Sequence, residues 1–374
     1  MSGQLIQDYR QTDEFRQAVD LLNAGPARIG GFWGGALSFF LGAWMEQDKE
    51  RNGHCVVVTS CQEDAEHLLE EIETFAAAAA LPFPAWDSLF QPDSRPDPLV
   101  YGERLHVLER LLRRDGGGGF IVTPIHALIQ PVPQVAALGK DRLELHPGLE
   151  LPPGELAKML TEKGYRNVRL AEEVGEFSSR GDIFDVFAHA SDAPVRLEYF
   201  GDSIESIRRY DPTSQRSLPD CGESRLELVL ADRAGIFQDC YRGKEALLLD
   251  YLREEDRVVL WEDEAVLQRA AKVFHNLLGS EGESSRDSFL RELRRCGNLY
   301  ASCMPPTPDS MPAINLGFGS VEQAVSADIV RAFESLRSRI AGGTDLVLYC
   351  ESEGERKRFL ELLRDNQLDT QGSI

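Results

Sequence analysis

Hydrophobic and polar residues alternate with a period of two in the middle of the chain. In VRLEYF, Val195, Leu197 and Tyr199 would point to one face of a strand, and the charged residues between them to the other face. Gly201 and Asp202 follow as a two-residue connection, in which glycine can adopt the positive φ of a hairpin turn. The pattern predicts a small antiparallel β module, with strands in NVRLAEE, GEFSSRG, DIFDVFA, VRLEYF and SIESIRRYD.

The flanking sequence has a different pattern, in which apolar runs of strand length alternate with amphipathic helices. HCVVVTS and FIVTP are predicted strands, and EDAEHLLEEIETF carries its apolar residues at helical spacing. Alternating strands and helices favour a parallel sheet. The same pattern returns after Ser217, so the β module is predicted to interrupt an α/β domain.

The length of 374 residues predicts about two or three domains. Polar and proline-rich residues between Ser280 and Asn315 predict a linker, and a helix, a strand and a second helix are predicted after Gly317. The predicted domains are residues 1–148 as the first part of the α/β domain, 149–219 as the β module, 220–316 as the second part of the α/β domain with the linker, and 317–374 as the start of a further small α/β domain.

The charge of the chain limits the partners that it can bind. Its formal net charge is −22, and a strongly acidic surface repels DNA phosphates. A local basic patch could still exist, and the arginines of the β module are the place to expect one.

The composition predicts a cytoplasmic protein without metal. The longest apolar run, from Ala36 to Trp44, is too short to cross a bilayer, and we expect no membrane contact. The seven cysteines are scattered and include no C-x-x-C pair, which favours reduced thiols over disulfides or a zinc site.

A glycine-rich turn leads into a helix where a nucleotide-binding P-loop would lie. The P-loop pattern is G-x-x-x-x-G-K-[ST], in which the lysine neutralises phosphates and the hydroxyl binds magnesium. Aligned from Gly31, the three last positions are Ala36, Leu37 and Ser38, so the lysine is missing. Gly34 and Gly35 are consistent with a P-loop that has kept its turn but lost its phosphate-binding lysine. We therefore expect a degenerate nucleotide loop that binds no nucleotide.

The amino-acid sequence of the β module resembles that of one family. GYR, GEF, SRG and DIFDVF, followed by PVRLEYFGDSIESIRRYD and SQRS, are similar to the small β domain of the transcription-repair coupling factor, Mfd. The repair protein UvrB has a similar domain but keeps the P-loop lysine and carries a long DNA-clamping hairpin. Here ten residues separate Pro92 from Glu103, too few for that hairpin, so the resemblance favours Mfd.

The resemblance implies a partner, since the β domains of Mfd and UvrB dock on UvrA. Matching positions give Arg166 in GYR, Arg180 in SRG, and Phe184 or Phe187 in DIFDVF as candidate contacts. Arginine and aromatic residues are suited to interfaces. Phe184 and Phe187 would lie on opposite strand faces, so at least one belongs to the core. Arg180 could instead pair within the chain, with Asp182, Asp185 or Glu198 as acceptors.

The sequence therefore predicts an α/β fold: a degenerate P-loop-type parallel sheet domain, an inserted small antiparallel β domain, and the start of a further small α/β domain. Its predicted function is non-catalytic recruitment of UvrA to stalled RNA polymerase for nucleotide excision repair. The resemblance implies that ATP, magnesium, RNA polymerase and DNA engage translocase and other domains that this chain lacks. The alternatives are a UvrB-type DNA-binding repair protein and an ATP-dependent helicase fragment, which would need a basic channel and a phosphate-binding lysine, respectively.

Overall fold

A computed structural model gives the arrangement of most of the chain. The described residues are 2–47, 53–75, 80–86, 98–113, 117–138, 142–188, 191, 193–222, 226–229, 246–278, 283–307, 311–316, 337–338 and 353–366. The stretch 87–97, which includes the first half of the segment judged too short for a hairpin, lies outside them, and the second half belongs to a helix. Two compact units divide the chain, residues 1–316 and 317–374.

The helices and strands of the described residues are numbered in chain order. The strands are β1 (Ala27–Gly30), β2 (Cys55–Thr59), β3 (Ala80–Pro82), β4 (Phe120–Pro124), β5 (Arg142–Leu145), β6 (Arg166–Asn167), β7 (Glu176–Arg180), β8 (Ile183–Phe187), β9 (Val195–Phe200), β10 (Ser203–Tyr210), β11 (Ser217–Gly222), β12 (Leu226–Val229), β13 (Arg257–Trp261), β14 (Gly297–Ser302) and β15 (Ala313–Asn315). The α-helices are α1 (Ser2–Tyr9), α2 (Asp13–Ala24), α3 (Ala36–Gln47), α4 (Gln62–Phe75), α5 (Pro98–Arg113), α6 (Ile125–Ile129), α7 (Val135–Leu138), α8 (Pro153–Glu162), α9 (Asp263–Leu278), α10 (Glu283–Cys296) and α11 (Glu353–Asp365), and Leu248–Tyr251 form a 3₁₀ turn.

A seven-stranded parallel sheet organises the first unit, with the strand order β15-β1-β14-β13-β2-β4-β3. Val56 and Val58 of β2 pack in one core with Leu105 and Leu108 of α5. Val57, whose side chain points to the opposite face, is also fully buried. Burial on both faces explains the unbroken apolar strands, and it confirms the predicted α/β class.

The prediction of a linker between Ser280 and Asn315 is wrong for residues 283–302. Helix α10 and strand β14 occupy them, and β14 lies inside the sheet between β1 and β13. Phe289 and Leu293, four residues apart on α10, are buried. The surrounding serines, arginines and glutamates make the exposed face of this helix so polar that its narrow apolar stripe resembles a loop in sequence.

The β module forms a second sheet with the order β11-β10-β9-β8-β7-β6. Its pairs are antiparallel except for β6 and β7, which run parallel. Gly201 has a φ of 64°, which confirms the predicted turn between β9 and β10. The strand predicted over NVRLAEE is wrong beyond its start, because only Arg166 and Asn167 pair with β7 and the chain then leaves the edge of the sheet.

Two short strands connect the β module to the parallel-sheet part of the first unit. Strand β5 enters the module, strand β12 leaves it, and the two pair antiparallel, with Leu145 opposite Leu226. Leu145 and Leu228 are buried in the same core as the module's own strands. Because entry and exit lie side by side, the module is attached as an insertion, and both strands lie outside the predicted limits of 149–219.

The second unit is described over residues 337–338 and 353–366. Helix α11 there corresponds to the predicted helix EGERKRFLELL. The strand predicted in DLVLYC and nearly all of the helix predicted over residues 321–340 lie outside the described residues. Among the residues described, no helix combines the length and the apolar character that a membrane crossing requires.

Candidate partner interface on the β module

One face of the six-stranded sheet is polar and points away from α8. Leu156 and Leu160 of α8 pack on the other face, against residues such as Phe177 and Leu197. Strand register and side-chain alternation assign the residues of the polar face. These include Arg166 on β6, Glu176, Ser178 and Arg180 on β7, Ile183, Asp185 and Phe187 on β8, Arg196, Glu198 and Phe200 on β9, and Ser206, Arg208 and Tyr210 on β10.

Asp185 is the centre of an ion-pair network on the polar face. Its side chain is 1% exposed, and Arg196 donates to both carboxylate oxygens, from Nε to Oδ1 at 2.7 Å and from Nη2 to Oδ2 at 2.9 Å. Arg180 donates from Nη2 to Oδ2 at 3.2 Å, while its own side chain remains 51% exposed. The hydrogen bonds from Arg196 to Asp185 raise the pKa of Arg196. Of the acceptors considered for Arg180 in the sequence, the structure therefore shows Asp185.

The ring of Tyr210 packs against the same ion-pair network. The Arg196 guanidinium lies over the ring of Tyr210, 4.7 Å from its centroid, and the Tyr210 hydroxyl donates to the carbonyl of Ala171 at 2.8 Å. Burial raises the pKa of Tyr210, so its hydroxyl remains a donor at neutral pH. The Ser178 hydroxyl donates to the carbonyl of Arg169 at 2.9 Å. Both contacts fix the segment between β6 and β7 against the polar face.

Arg166 lies on the edge strand β6, opposite Glu176 of β7. Its Nη2 atom contacts Glu173 Oε2 at 2.8 Å and Glu176 Oε1 at 2.9 Å, and 52% of its side chain is exposed. Arg166 and Arg180 thus share an arrangement: each is half-exposed, and each is held by a buried carboxylate on a neighbouring strand. Held in this way, both guanidinium groups can contact a partner with little loss of side-chain entropy.

The two candidate phenylalanines differ in position. Phe184 is fully buried and stacks on Phe177, with the ring centroids 5.5 Å apart and the planes 3° from parallel. Phe187 lies on the polar face and is partly exposed. The core residue that the sequence left unassigned is therefore Phe184. It supports the sheet beneath Arg180 and Asp185, whereas Phe187 can be reached from solvent.

Sequence reasoning missed two apolar residues on the polar face. Phe200 is 80% exposed at the end of β9, and Ile183 is 38% exposed at the start of β8. Register places Ile183 opposite Glu198, two residues before Phe200 on the same face. The available indication was the alternation in VRLEYF, since Phe200 follows Arg196 and Glu198 on the charged side. With Arg180, these residues form a mixed apolar and basic surface.

The predicted nucleotide loop connects β1 to α3. Gly31 and Gly34 have φ values of 89° and 54°, so the turn requires glycine at both. Leu37 is buried, which places the position of the missing lysine inside the core. The Ser38 hydroxyl, also buried, donates to Glu71 Oε2 at 2.9 Å. Ala36 begins helix α3, and its N–H donates to the carbonyl of Trp33 at 3.2 Å, while Gly35 precedes the helix.

Comparisons with known proteins identify the β module. Residues 143–226 match the family described as the UvrB interaction domain, and these limits fall in the paired strands β5 and β12. The transcription-repair-coupling factor of Myxococcus xanthus is 35% identical over 232 residues, which are 58% of this chain and 19% of that protein.

Further relatives carry the same name. The transcription-repair-coupling factor of Mycobacterium bovis is 33% identical over 205 residues, 53% of this chain and 16% of the relative. That of Escherichia coli strain K12 is 30% identical over 208 residues, 56% of this chain and 18% of the relative. The chain thus matches less than a fifth of the length of these curated relatives. The resemblance found in the sequence is confirmed: over about half its length, this chain is similar to transcription-repair-coupling factors, and it includes a match to the UvrB interaction domain.

Proposed function

We propose that this chain is the non-catalytic UvrB-like part of a transcription-repair coupling factor, and that its β module binds UvrA to bring it to stalled RNA polymerase for nucleotide excision repair. One observation carries the proposal. The match to the UvrB interaction domain covers the whole β module, whose polar face presents half-exposed arginines that buried carboxylates hold in place.

The polar face is chemically suited to a protein partner. Arg166 and Arg180 can form charge-assisted hydrogen bonds with carboxylates of the partner, and Phe200 adds apolar area. The chain as a whole carries a formal charge of −22, so long-range attraction to an acidic partner is weak. Binding must therefore come from local contacts on this face, which carries both the guanidinium groups and an exposed aromatic ring.

The loop between β1 and α3 supports the non-catalytic part of the proposal. A lysine at position 37 would be needed to neutralise phosphates, and Leu37 is instead buried in the core. The Ser38 hydroxyl, which would bind magnesium in a P-loop, is bound to the Glu71 carboxylate. We infer that ATP hydrolysis, contact with RNA polymerase and DNA translocation belong to other parts of such a factor.

Calorimetric titration of purified UvrA with this chain tests the proposal. We expect micromolar or tighter binding by the wild-type chain, reduced at least tenfold, or about 1.4 kcal/mol, in an Arg166→Ala/Arg180→Ala double variant. The matched control is Arg16→Ala/Arg295→Ala, which removes two exposed arginines from α2 and α10, away from the β module. The control corrects for the change in net charge and should bind as the wild type does.

Two results would contradict the proposal. One is the absence of binding to UvrA by the folded wild-type chain. The other is equal weakening by both double variants, which would assign the effect to overall charge. Tight DNA binding that falls steeply with salt would instead favour the UvrB-type alternative.

A further inference from the structure

Arg166 is held by two carboxylates that differ in their surroundings. The Nη2 atom lies 2.8 Å from Glu173 Oε2 and 2.9 Å from Glu176 Oε1. The side chain of Glu176 is 9% exposed, whereas that of Glu173 is 68% exposed. The same guanidinium nitrogen therefore donates a hydrogen bond to an exposed carboxylate, Glu173, and forms an ion pair with a buried one, Glu176.

Glu176 is a fixed part of the module. Its second oxygen, Oε2, accepts the backbone N–H groups of Glu172 at 3.1 Å and Glu173 at 2.9 Å. It also lies directly opposite Arg166 in the pairing of β6 with β7. These contacts tie the segment before β7 to the strand, and they fix the Glu176 carboxylate beside the Arg166 guanidinium.

Glu173 adds a contact of low strength to a group that is already positioned. Exposed ion pairs contribute about 0–1 kcal/mol, because water screens both charges and both side chains lose freedom. A carboxylate of a bound partner would approach the exposed side of the same guanidinium. Glu173 already occupies that side, and its negative charge also repels an incoming carboxylate.

We propose that Glu173 is an intramolecular competitor for Arg166: it occupies the donor that a carboxylate on the protein partner takes over, while Glu176 keeps the guanidinium in place. The inference rests on the proposed function, because it concerns the affinity of the same interface. Binding of the partner exchanges the Glu173 contact for an intermolecular one, so the exposed carboxylate lowers affinity and makes the interface sensitive to neutralisation at this single position.

The test is to neutralise Glu173 and measure the binding of the full chain to UvrA by calorimetry. Glu173→Gln keeps the size of the side chain and leaves its backbone N–H bond to Glu176 intact. Glu172→Gln is the matched control, since it removes the same charge from the neighbouring residue. Glu172 is also exposed, and it makes no ion pair with Arg166. We expect Glu173→Gln to bind about two- to fivefold more tightly than both the wild type and the control at low salt, and the gain to shrink as ionic strength rises.

The possible outcomes separate this inference from the function on which it rests. Equal gains for Glu173→Gln and Glu172→Gln would overturn the inference, since the effect would then come from overall charge. Weaker binding by Glu173→Gln would also overturn it, because Glu173 would then position Arg166 rather than compete for it. If the wild-type chain binds UvrA but Glu173→Gln does not bind more tightly than the wild type and the control, the inference is wrong and the proposed function is unaffected. Absence of binding by the wild type and both variants would overturn the proposed function together with the inference.

Discussion

Asp185 of β8 and Arg196 of β9 form a two-point ion pair at the centre of the polar face, with contacts of 2.7 Å and 2.9 Å. Asp185 is inaccessible to solvent, and Arg196 is mostly buried between the carboxylate and the ring of Tyr210. The pair therefore connects two neighbouring strands through a charged contact inside the fold. Exposed Arg180 is attached to the same carboxylate, so the stability of this pair and the geometry of the candidate interface depend on one residue.

Asp185→Asn should destabilise the β module by about 3 kcal/mol, because removing one partner leaves the Arg196 charge buried without its counter-ion. The measurement is amide hydrogen exchange across β8 and β9, which reports local opening. Asp182→Asn, in the exposed turn between β7 and β8, is the control and should change stability by less than about 0.5 kcal/mol. Equal protection in the two variants would show that the ion pair adds nothing to local stability.

Phe184→Ala should cost about 3–5 kcal/mol, since it removes a fully buried ring that stacks on Phe177. Phe187→Ala should cost much less, because its ring is partly exposed on the polar face. Hydrogen exchange in β7 and β8 distinguishes the two. Comparable losses of protection would mean that Phe187 carries as much of the packing as Phe184.

Phe200→Ser should leave the fold intact and weaken UvrA binding about tenfold. The residue is 80% exposed, and burial of a phenylalanine at an interface contributes about 1.5–3 kcal/mol. Met304→Ser, at an exposed apolar residue of the α/β domain, is the control for surface hydrophobicity. Titration calorimetry with UvrA provides the comparison, and unchanged affinity in Phe200→Ser would place this residue outside the interface.

Leu37→Lys should fail to restore nucleotide binding and should destabilise the first unit by several kcal/mol. Position 37 is buried, so the ammonium group would lose its hydration without gaining a counter-ion. Ala36→Lys, at the half-buried neighbouring position, adds the same charge and should be tolerated better. Thermal unfolding with and without ATP and magnesium provides the measurement, and a stabilising shift with nucleotide in Leu37→Lys would contradict the expectation.

Cys303 should react slowly with thiol reagents at neutral pH. Burial, followed by a hydrogen bond to Glu262, raises the pKa of its thiol to about 12, and burial raises that of Cys55 to about 12. A raised pKa means that the reactive thiolate is the minor form at every pH below that value. Alkylation of the folded chain, followed residue by residue by mass spectrometry, should therefore accelerate at Cys303 as pH rises from 7 to about 10. A rate at Cys303 that is already independent of pH near 7 would contradict this prediction.

Local pattern in the sequence determined the elements that depend on neighbouring residues. The apolar runs of β2 and β4 predicted a buried parallel sheet, the alternation in VRLEYF predicted β9, and the glycine at position 201 predicted the turn after it. The sequence of the module also showed the resemblance to transcription-repair-coupling factors that the comparisons confirm. Each of these properties follows from a periodicity or a backbone preference that a short segment expresses by itself.

Tertiary structure decided what depends on residues far apart in sequence. Alternation assigned Phe184 and Phe187 to opposite faces of β8, but the packing of α8 selected the buried one. Arg180 had several carboxylates within possible reach, and the strand register brought it to Asp185. The polar sequence of α10 concealed a helix because only its packing against α9, where Phe289 meets Phe274, shows which side is buried. Periodicity defines the faces of an element, whereas the decision about which face meets another element lies in packing between distant segments.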